Sequence, residues 1–223
     1  MTAAARRAVI VMAKRPAAGH TKTRLTPELS PQQAADMYER LLRDTLANLN
    51  DRDDCTTLVA VDAPASKDYF SAIAPDIDQV EQVGDALGDR LDAVLSAALD
   101  LGFSSVFAVG SDSPDLPPDH LGDAFGALER DDVDVVLGPT EDGGYYLIGW
   151  KERWRSMVTD VTMSTATVLQ DTLKIAADLE ARVHLVPEWY DVDSPADLDR
   201  LRNSPAAAQR APKSLQYLAQ VTD

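Results

Sequence analysis

Fifteen residues from Ala13 to Pro27, AKRPAAGHTKTRLTP, carry Lys14, Arg15, Lys22 and Arg24 and no acidic side chain. The chain has 21 Lys and Arg against 37 Asp and Glu, so the window from Lys14 to Arg24 should hold about one basic residue by chance, and it holds four. An ammonium and a guanidinium two residues apart suit phosphate oxygens, Lys22 as a point charge and Arg24 as a fork, with Gly19 allowing close backbone approach. The competing reading is a solvated basic loop paired with an acidic surface. The pattern is not a Walker A loop, because G-x-x-x-x-G-K-[ST] is absent.

Three acidic segments could complete such a site. In SDSPD, Asp112 and Asp115 stand beside Pro114. A carboxylate opposite a phosphate loop is how Mg²⁺ is commonly held, while an Asx-type turn accounts equally for the same residues. In DVDSPADL, Ser194 as cap, Pro195 at the first position and Asp197 explain a helix start and leave Asp191 and Asp193 available as ligands. In EDGGYY, a hairpin turn explains Asp142 to Gly144, and the alternative is close backbone approach to an acceptor with Asp142 or Glu141 in reach. His20, His120 and His184 have no metal-ligand spacing, and no nucleophile motif such as G-x-S-x-G occurs.

The elements that must position these loops follow from hydrophobic periodicity. Apolar runs at Ala8 to Ala13, Thr57 to Val61, Val80 to Val83, Val106 to Val109, Val133 to Leu137, Tyr145 to Trp150 and Val183 to Val186 read as strands. Helical spacing appears from Ala34 to Leu49 behind a Ser30-Pro31 start, from Leu87 to Ala98 up to Gly102, and around Leu121 to Leu128 and Ala166 to Leu179. A further helix opens after Asp193. Strands alternating with long helices predict an α/β fold with a mainly parallel sheet flanked by helices. In such sheets ligands gather at the carboxyl ends of strands, where the four loops above would meet. One domain over residues 1–203 is expected, with 204–223 a mobile C-terminal extension holding a weak helix near Leu215 to Val221.

Composition limits the partners. A net charge of −16 disfavours nucleic acid and anionic membranes, and leaves room for a small phosphorylated ligand at a local basic cluster. No apolar run approaches the roughly 20 residues of a membrane span, and the N-terminal apolar run is too short for a signal segment. With the single Cys55, this predicts a soluble cytoplasmic protein.

Taken in order over about 190 residues, AKRPAAGHTKTRLTP, GDALGDRL, GSDSPDLP, GPTEDGGYYLIG and DVDSPADL resemble a bacterial family of predicted glycosyltransferases associated with radical-SAM and selenoprotein-like genes. That family is similar to the nucleotide-diphospho-sugar transferase superfamily, with its Rossmann-like GT-A fold, and within it to phospholactate guanylyltransferase. The resemblance implies that Gly19, Lys22 and Arg24, with Lys14 a weaker candidate, bind nucleotide phosphates. Gly84, Gly88 and Arg90 would lie near the base or ribose, and Asp112 and Asp193 would hold Mg²⁺ or Mn²⁺. Glycosyl transfer from a nucleotide sugar to a small acceptor would use Lys22, Asp112 and, as base, Asp142. Nucleotidyl transfer from a nucleoside triphosphate to a phosphorylated acceptor, with release of pyrophosphate, is the alternative, and the four basic residues of the first loop suit a triphosphate slightly better; nucleotide binding without turnover is a third.

Overall fold

In chain order the elements are β1 (Arg7–Met12), α1 (Pro31–Asn50), β2 (Thr56–Val61), α2 (Lys67–Ile73), β3 (Asp78–Glu81), α3 (Leu87–Asp100), β4 (Ser105–Val109), α4 (Pro118–Leu128), β5 (Val135–Pro139), β6 (Tyr145–Trp150), α5 (Ser156–Thr159), α6 (Val168–Asp178), β7 (Val183–Leu185), α7 (Pro195–Asn203), α8 (Ala207–Arg210) and α9 (Pro212–Thr222). The computed structural model describes residues 6–62 and 64–222. The first five residues of the N-terminal segment, Ala63 and Asp223 lie outside the described residues.

The strands form one seven-stranded sheet in the order β3-β2-β1-β4-β6-β5-β7. All neighbours run parallel except β6, which is antiparallel to both β4 and β5. The chain steps outward from β1 through β2 to β3 and then returns to pair β4 with the other side of β1. The carboxyl ends of β1 and β4 therefore flank the switch point where α/β sheets leave a crevice. Their register is close, with Val11 opposite Val109, so the basic loop and the SDSPD loop leave the sheet side by side.

Both faces of the central strands are buried, which is why they read as continuous apolar runs. Val9, Val11, Phe107 and Val109 pack under α1, α2 and α4, and Ala8, Ile10, Val106 and Ala108 pack under α3, α5 and α6. Strand β3 is offset from the expected Val80 to Val83, because an edge strand with exposed Asp78 and Glu81 carries little apolar signal. Helix α1 starts as expected, with a full capping box between Ser30 and Gln33.

The segment from 204 to 222, read as a mobile extension, packs as part of the same body. Ala207, Ala211, Ser214 and Leu218 are buried against a second face of α1, formed by Ala34, Met37 and Leu41. Buried Asp44 on α1 accepts the backbone N–H groups of Lys213 and Ser214 and the Ser214 hydroxyl, at 3.3, 2.8 and 2.8 Å, which caps α9 from another helix. A cap supplied from α1, 170 residues earlier, leaves no local start signal, and this is why the helix looks weak in sequence. The same core holds Leu25 and Leu29, so the C-terminal helices help anchor the end of the basic loop.

Replacing Asp44 by Ala removes three acceptor contacts in a buried place and should lower unfolding free energy by about 2–3 kcal/mol. Urea unfolding followed by far-UV circular dichroism checks this. Ser214→Ala, which keeps the backbone bonds, should be about half as damaging.

Candidate active site

The basic loop turns through Lys22, whose backbone lies in the left-handed region at φ 51 and opens a short 3-10 turn at Thr23–Leu25. That conformation costs a non-glycine residue about 1 kcal/mol, and it aims the side chain back toward the sheet. The Lys22 side chain is only 6% exposed; its ammonium donates to Asp112 Oδ2 at 2.5 Å and to Asp193 Oδ1 at 3.2 Å. Arg24, in contrast, is 76% exposed and donates to Asp193 Oδ2 at 2.6 Å.

Asp191 completes the cluster. Its Oδ1 accepts from the Ser113 hydroxyl at 2.6 Å, and the neighbouring Val192 N–H donates to the Asp112 carbonyl at 3.0 Å, fixing the two acidic loops against each other. Burial, then the Asp112 charge, pushes the Asp191 carboxyl up to about 7, against the Ser113 hydrogen bond and Lys22. Burial alone would pull the Lys22 ammonium down, but Asp112 and Asp193 overcome it and hold it above the ordinary lysine value. Burial likewise pushes Asp193 up, and Lys22 and Arg24 outweigh it, holding that carboxyl low. Beneath the loop, the Tyr38 hydroxyl accepts from the Lys14 backbone N–H at 3.2 Å and hydrogen-bonds Ser111 Oγ at 2.8 Å.

Two cavities open on either side of this cluster. The one toward β2, about 520 Å³, is lined by Lys14, Lys22, Arg90, Asp62, Gln82 and Asp112. The one toward β6, about 570 Å³, is lined by Asp142, Asp191, Arg24, Tyr145, Met163 and Thr165, among others. Met12, Leu87 and Asp193 line both. Gln82 is pinned at the first cavity by donating to the Ala13 and Ala60 carbonyls at 2.7 and 2.8 Å. In the second, Asp142 Oδ1 accepts from Thr140 Oγ1 and Gly144 N, an Asx turn that stands at the cavity wall, so the turn reading and the site reading hold together.

Several sequence candidates fall elsewhere. Asp115 is fully buried and accepts from the Tyr190 hydroxyl at 2.8 Å, so it turns away from Asp112 and the other carboxylates of the cluster are Asp191 and Asp193. Glu141 pairs with Arg200 at 2.7 Å, and Arg15 lies over the Tyr69 ring. Gly19, Gly84 and Gly88 line neither cavity: Gly84 turns the chain into α3, and a Cβ on Gly88 would stand 1.9 Å from the Val158 carbonyl oxygen. His120 bonds the Tyr146 hydroxyl and His184 pairs with Asp123, the structural roles expected of them. The sequence signal for Asp191 was its place in DVDS at a strand's carboxyl end; its burial was invisible there.

The residues suit a divalent cation. Three carboxylates surround one buried ammonium and one exposed guanidinium, all donors are oxygen, and Gly110 leaves a gap at which a Cβ would lie 3.0 Å from Asp112 Oδ1 and 3.8 Å from Asp191 Oδ1. Among the described residues no three His, Cys, Asp or Glu side chains form a metal site by themselves. Mg²⁺ does not require one, since it takes one or two carboxylates together with substrate phosphate oxygens.

The sheet order and switch-point crevice are shared with transferases of the nucleotide-diphospho-sugar class. The chain belongs to the family described as "Uncharacterized protein conserved in bacteria (DUF2064)", which matches residues 45–165. A crystal structure from Desulfovibrio desulfuricans G20, provisionally named a nucleotide-diphospho-sugar transferase, superposes with TM-score 0.84 at 25% identity over 96% of this chain and 97% of that one. The fold is shared by 4-diphosphocytidyl-2C-methyl-D-erythritol synthase of Anaerococcus prevotii DSM 20548, with TM-score 0.59, 11% identity and 97% of each chain covered. It is shared also by glucosyl-3-phosphoglycerate synthase of Mycobacterium tuberculosis in complex with Mg²⁺ and UDP, with TM-score 0.52, 14% identity, and 96% of this chain and 80% of that one covered. No curated protein sequence matches this chain.

Gly143 tests how the β6-side cavity is built. Its φ is +87, and a Cβ there would lie 2.0 Å from the Ala166 carbonyl oxygen, so the loop before α6 is seated on the glycine. Gly143→Ala should lower stability by about 1–2 kcal/mol from the left-handed backbone alone, with displacement of the loop adding to it. Thermal unfolding measures the loss, and protease sensitivity within residues 163–168 reports the displaced loop.

Proposed function

We propose that the chain transfers a glycosyl group from a nucleotide sugar to a small-molecule acceptor, with Mg²⁺ or Mn²⁺ held by Asp112 and Asp193. The observation that carries the reading is the pair of similar-sized cavities meeting at Asp193, one setting three cations against three carboxylates and the other setting Arg24 against three carboxylates. A nucleotide in the first cavity would place its phosphates beside Lys14, Lys22 and Arg90 and its far end at the boundary.

Charge balance favours a diphosphate donor over a triphosphate. The β2-side cavity sets Lys14, Lys22 and Arg90 against Asp62, Asp112 and Asp193, so its own side chains nearly cancel. A nucleoside diphosphate sugar with one divalent cation adds little net charge there, whereas a triphosphate leaves about two negative charges uncompensated. The divalent cation, when bound, neutralises charge developing on the departing diphosphate.

Lys22 then has two tasks in sequence. Without nucleotide it neutralises Asp112 and Asp193. With a divalent cation held by Asp112 and Asp193, the Lys22 ammonium would be available to hold the leaving phosphate oxygen. Asp142 stands in the other cavity with one oxygen committed to its turn, and its second oxygen is the group assigned to hold the attacking hydroxyl.

Calorimetry of the full chain with nucleoside diphosphates, with and without Mg²⁺, tests the donor side. Asp112→Asn should abolish the Mg²⁺-dependent part of the affinity, and an unchanged Mg²⁺ dependence contradicts the assignment. A panel of nucleotide sugars and nucleoside triphosphates with Mg²⁺ tests the reaction. Nucleoside diphosphate release supports glycosyl transfer, pyrophosphate release means nucleotidyl transfer, and binding with neither product means no turnover.

A further inference from the structure

The wall of the β6-side cavity says what kind of acceptor it takes. Its charged side chains are Asp142, Asp191 and Asp193 against Arg24, and Arg24 is already bonded to Asp193 at 2.6 Å. Among the described residues of this wall no other lysine, arginine or histidine appears. A phosphate or carboxylate here would meet carboxylates without a committed cation, and like charges brought together at a partly dry site disfavour binding strongly.

The rest of the wall is suited to a hydroxylated molecule with an apolar side. Thr140, whose hydroxyl donates to Asp142, lines this wall with Ser164 and Thr165, which add hydroxyl-bearing side chains to it. Leu87, Leu91, Tyr145 and Met163 form an apolar side, and the Tyr145 hydroxyl is turned onto the Met163 sulfur at 3.7 Å rather than left open. Ser164, which lines this cavity in the segment before α6, holds a left-handed φ of 63.

Resting on the glycosyl-transfer reading, we propose that the acceptor is an uncharged, hydroxyl-bearing molecule with an apolar flank, and that Asp142 excludes phosphorylated and carboxylated analogues. An acceptor hydroxyl gives its proton to the free oxygen of Asp142 as its own oxygen bonds the anomeric carbon. The bond from that carbon to the diphosphate oxygen breaks, and the diphosphate leaves with the electron pair. No oxidant or further reactant is needed.

The methionines provide the probe. Met163 lines only the β6-side cavity of the two, Met12 lines both, and Met37 and Met157 are buried in the core as references. In the full chain labelled at methionine methyl carbons, with Mg²⁺ and either UDP or GDP present, three matched pairs are titrated: glucose and glucose 6-phosphate, ribose and ribose 5-phosphate, glycerol and glycerol 3-phosphate. Met163→Leu assigns the resonance. The expected result is that at least one neutral member shifts Met163 and that its phosphate binds at least about tenfold more weakly. Asp142→Asn should narrow that ratio while leaving Met37 and Met157 unmoved.

Phosphates that bind as well as their neutral partners, or neutral members that never move Met163, overturn the proposal. Failure of the donor reading looks different, because then neither UDP nor GDP moves Met12. A response at Met12 without one at Met163 keeps the donor half and rejects only the acceptor class.

Discussion

A single buried ammonium holds the carboxyl edge of this sheet together. Lys22 reaches back from a left-handed turn to sit between Asp112, at the end of β4, and Asp193, ahead of α7. Removing such a charge from water costs several kcal/mol, and attraction to two carboxylates offsets it only if both are held in place. The structure holds them by both backbone and side chains, with the Asp193 and Ser194 N–H groups donating to Asp197 Oδ2 and Ser113 Oγ to Asp191. The Val192 N–H bonds the Asp112 carbonyl, and Leu25, just after the turn, is anchored in the core shared by α1, α7, α8 and α9.

Charge also distinguishes the two cavities. Lys22 is shared by Asp112 and Asp193, Arg24 reaches Asp193 from the solvent side, and burial pushes the Asp191 carboxyl up toward its neutral form. Around this cluster the walls differ, with Lys14 and Arg90 on the β2 side and Asp142 on the β6 side. On the proposed reading, donor binding and acceptor selection would both arise from that difference.

What the sequence showed and what it hid divide along physical lines. Strands β1, β2 and β4 and helices α1 and α3 were legible because burial on defined faces leaves a period of apolar residues. The meeting of the basic loop with Asp112 and Asp193 was legible from the carboxyl-end rule alone. The order of the strands and the reversed direction of β6 depend on long-range pairing and leave no local trace. Asp191 and Asp115 look alike as residues, yet one faces a cavity and the other the Tyr190 hydroxyl, which only packing decides. Gly84 and Gly88 looked like ligand glycines, but their missing side chains make room for Asp89 and for the Val158 carbonyl. The C-terminal helices were underestimated because their cap, Asp44, lies far away in sequence.

The central claim is that Lys22 and its carboxylates act as one electrostatic unit. A double-mutant cycle on the folding stability of Lys22→Met and Asp112→Asn tests it most directly. The account predicts that Lys22→Met alone is destabilising by about 3 kcal/mol or more, and that adding Asp112→Asn recovers at least about 1 kcal/mol. Additive losses in the double variant would show that the ammonium and the carboxylate do not depend on each other, and would contradict the account.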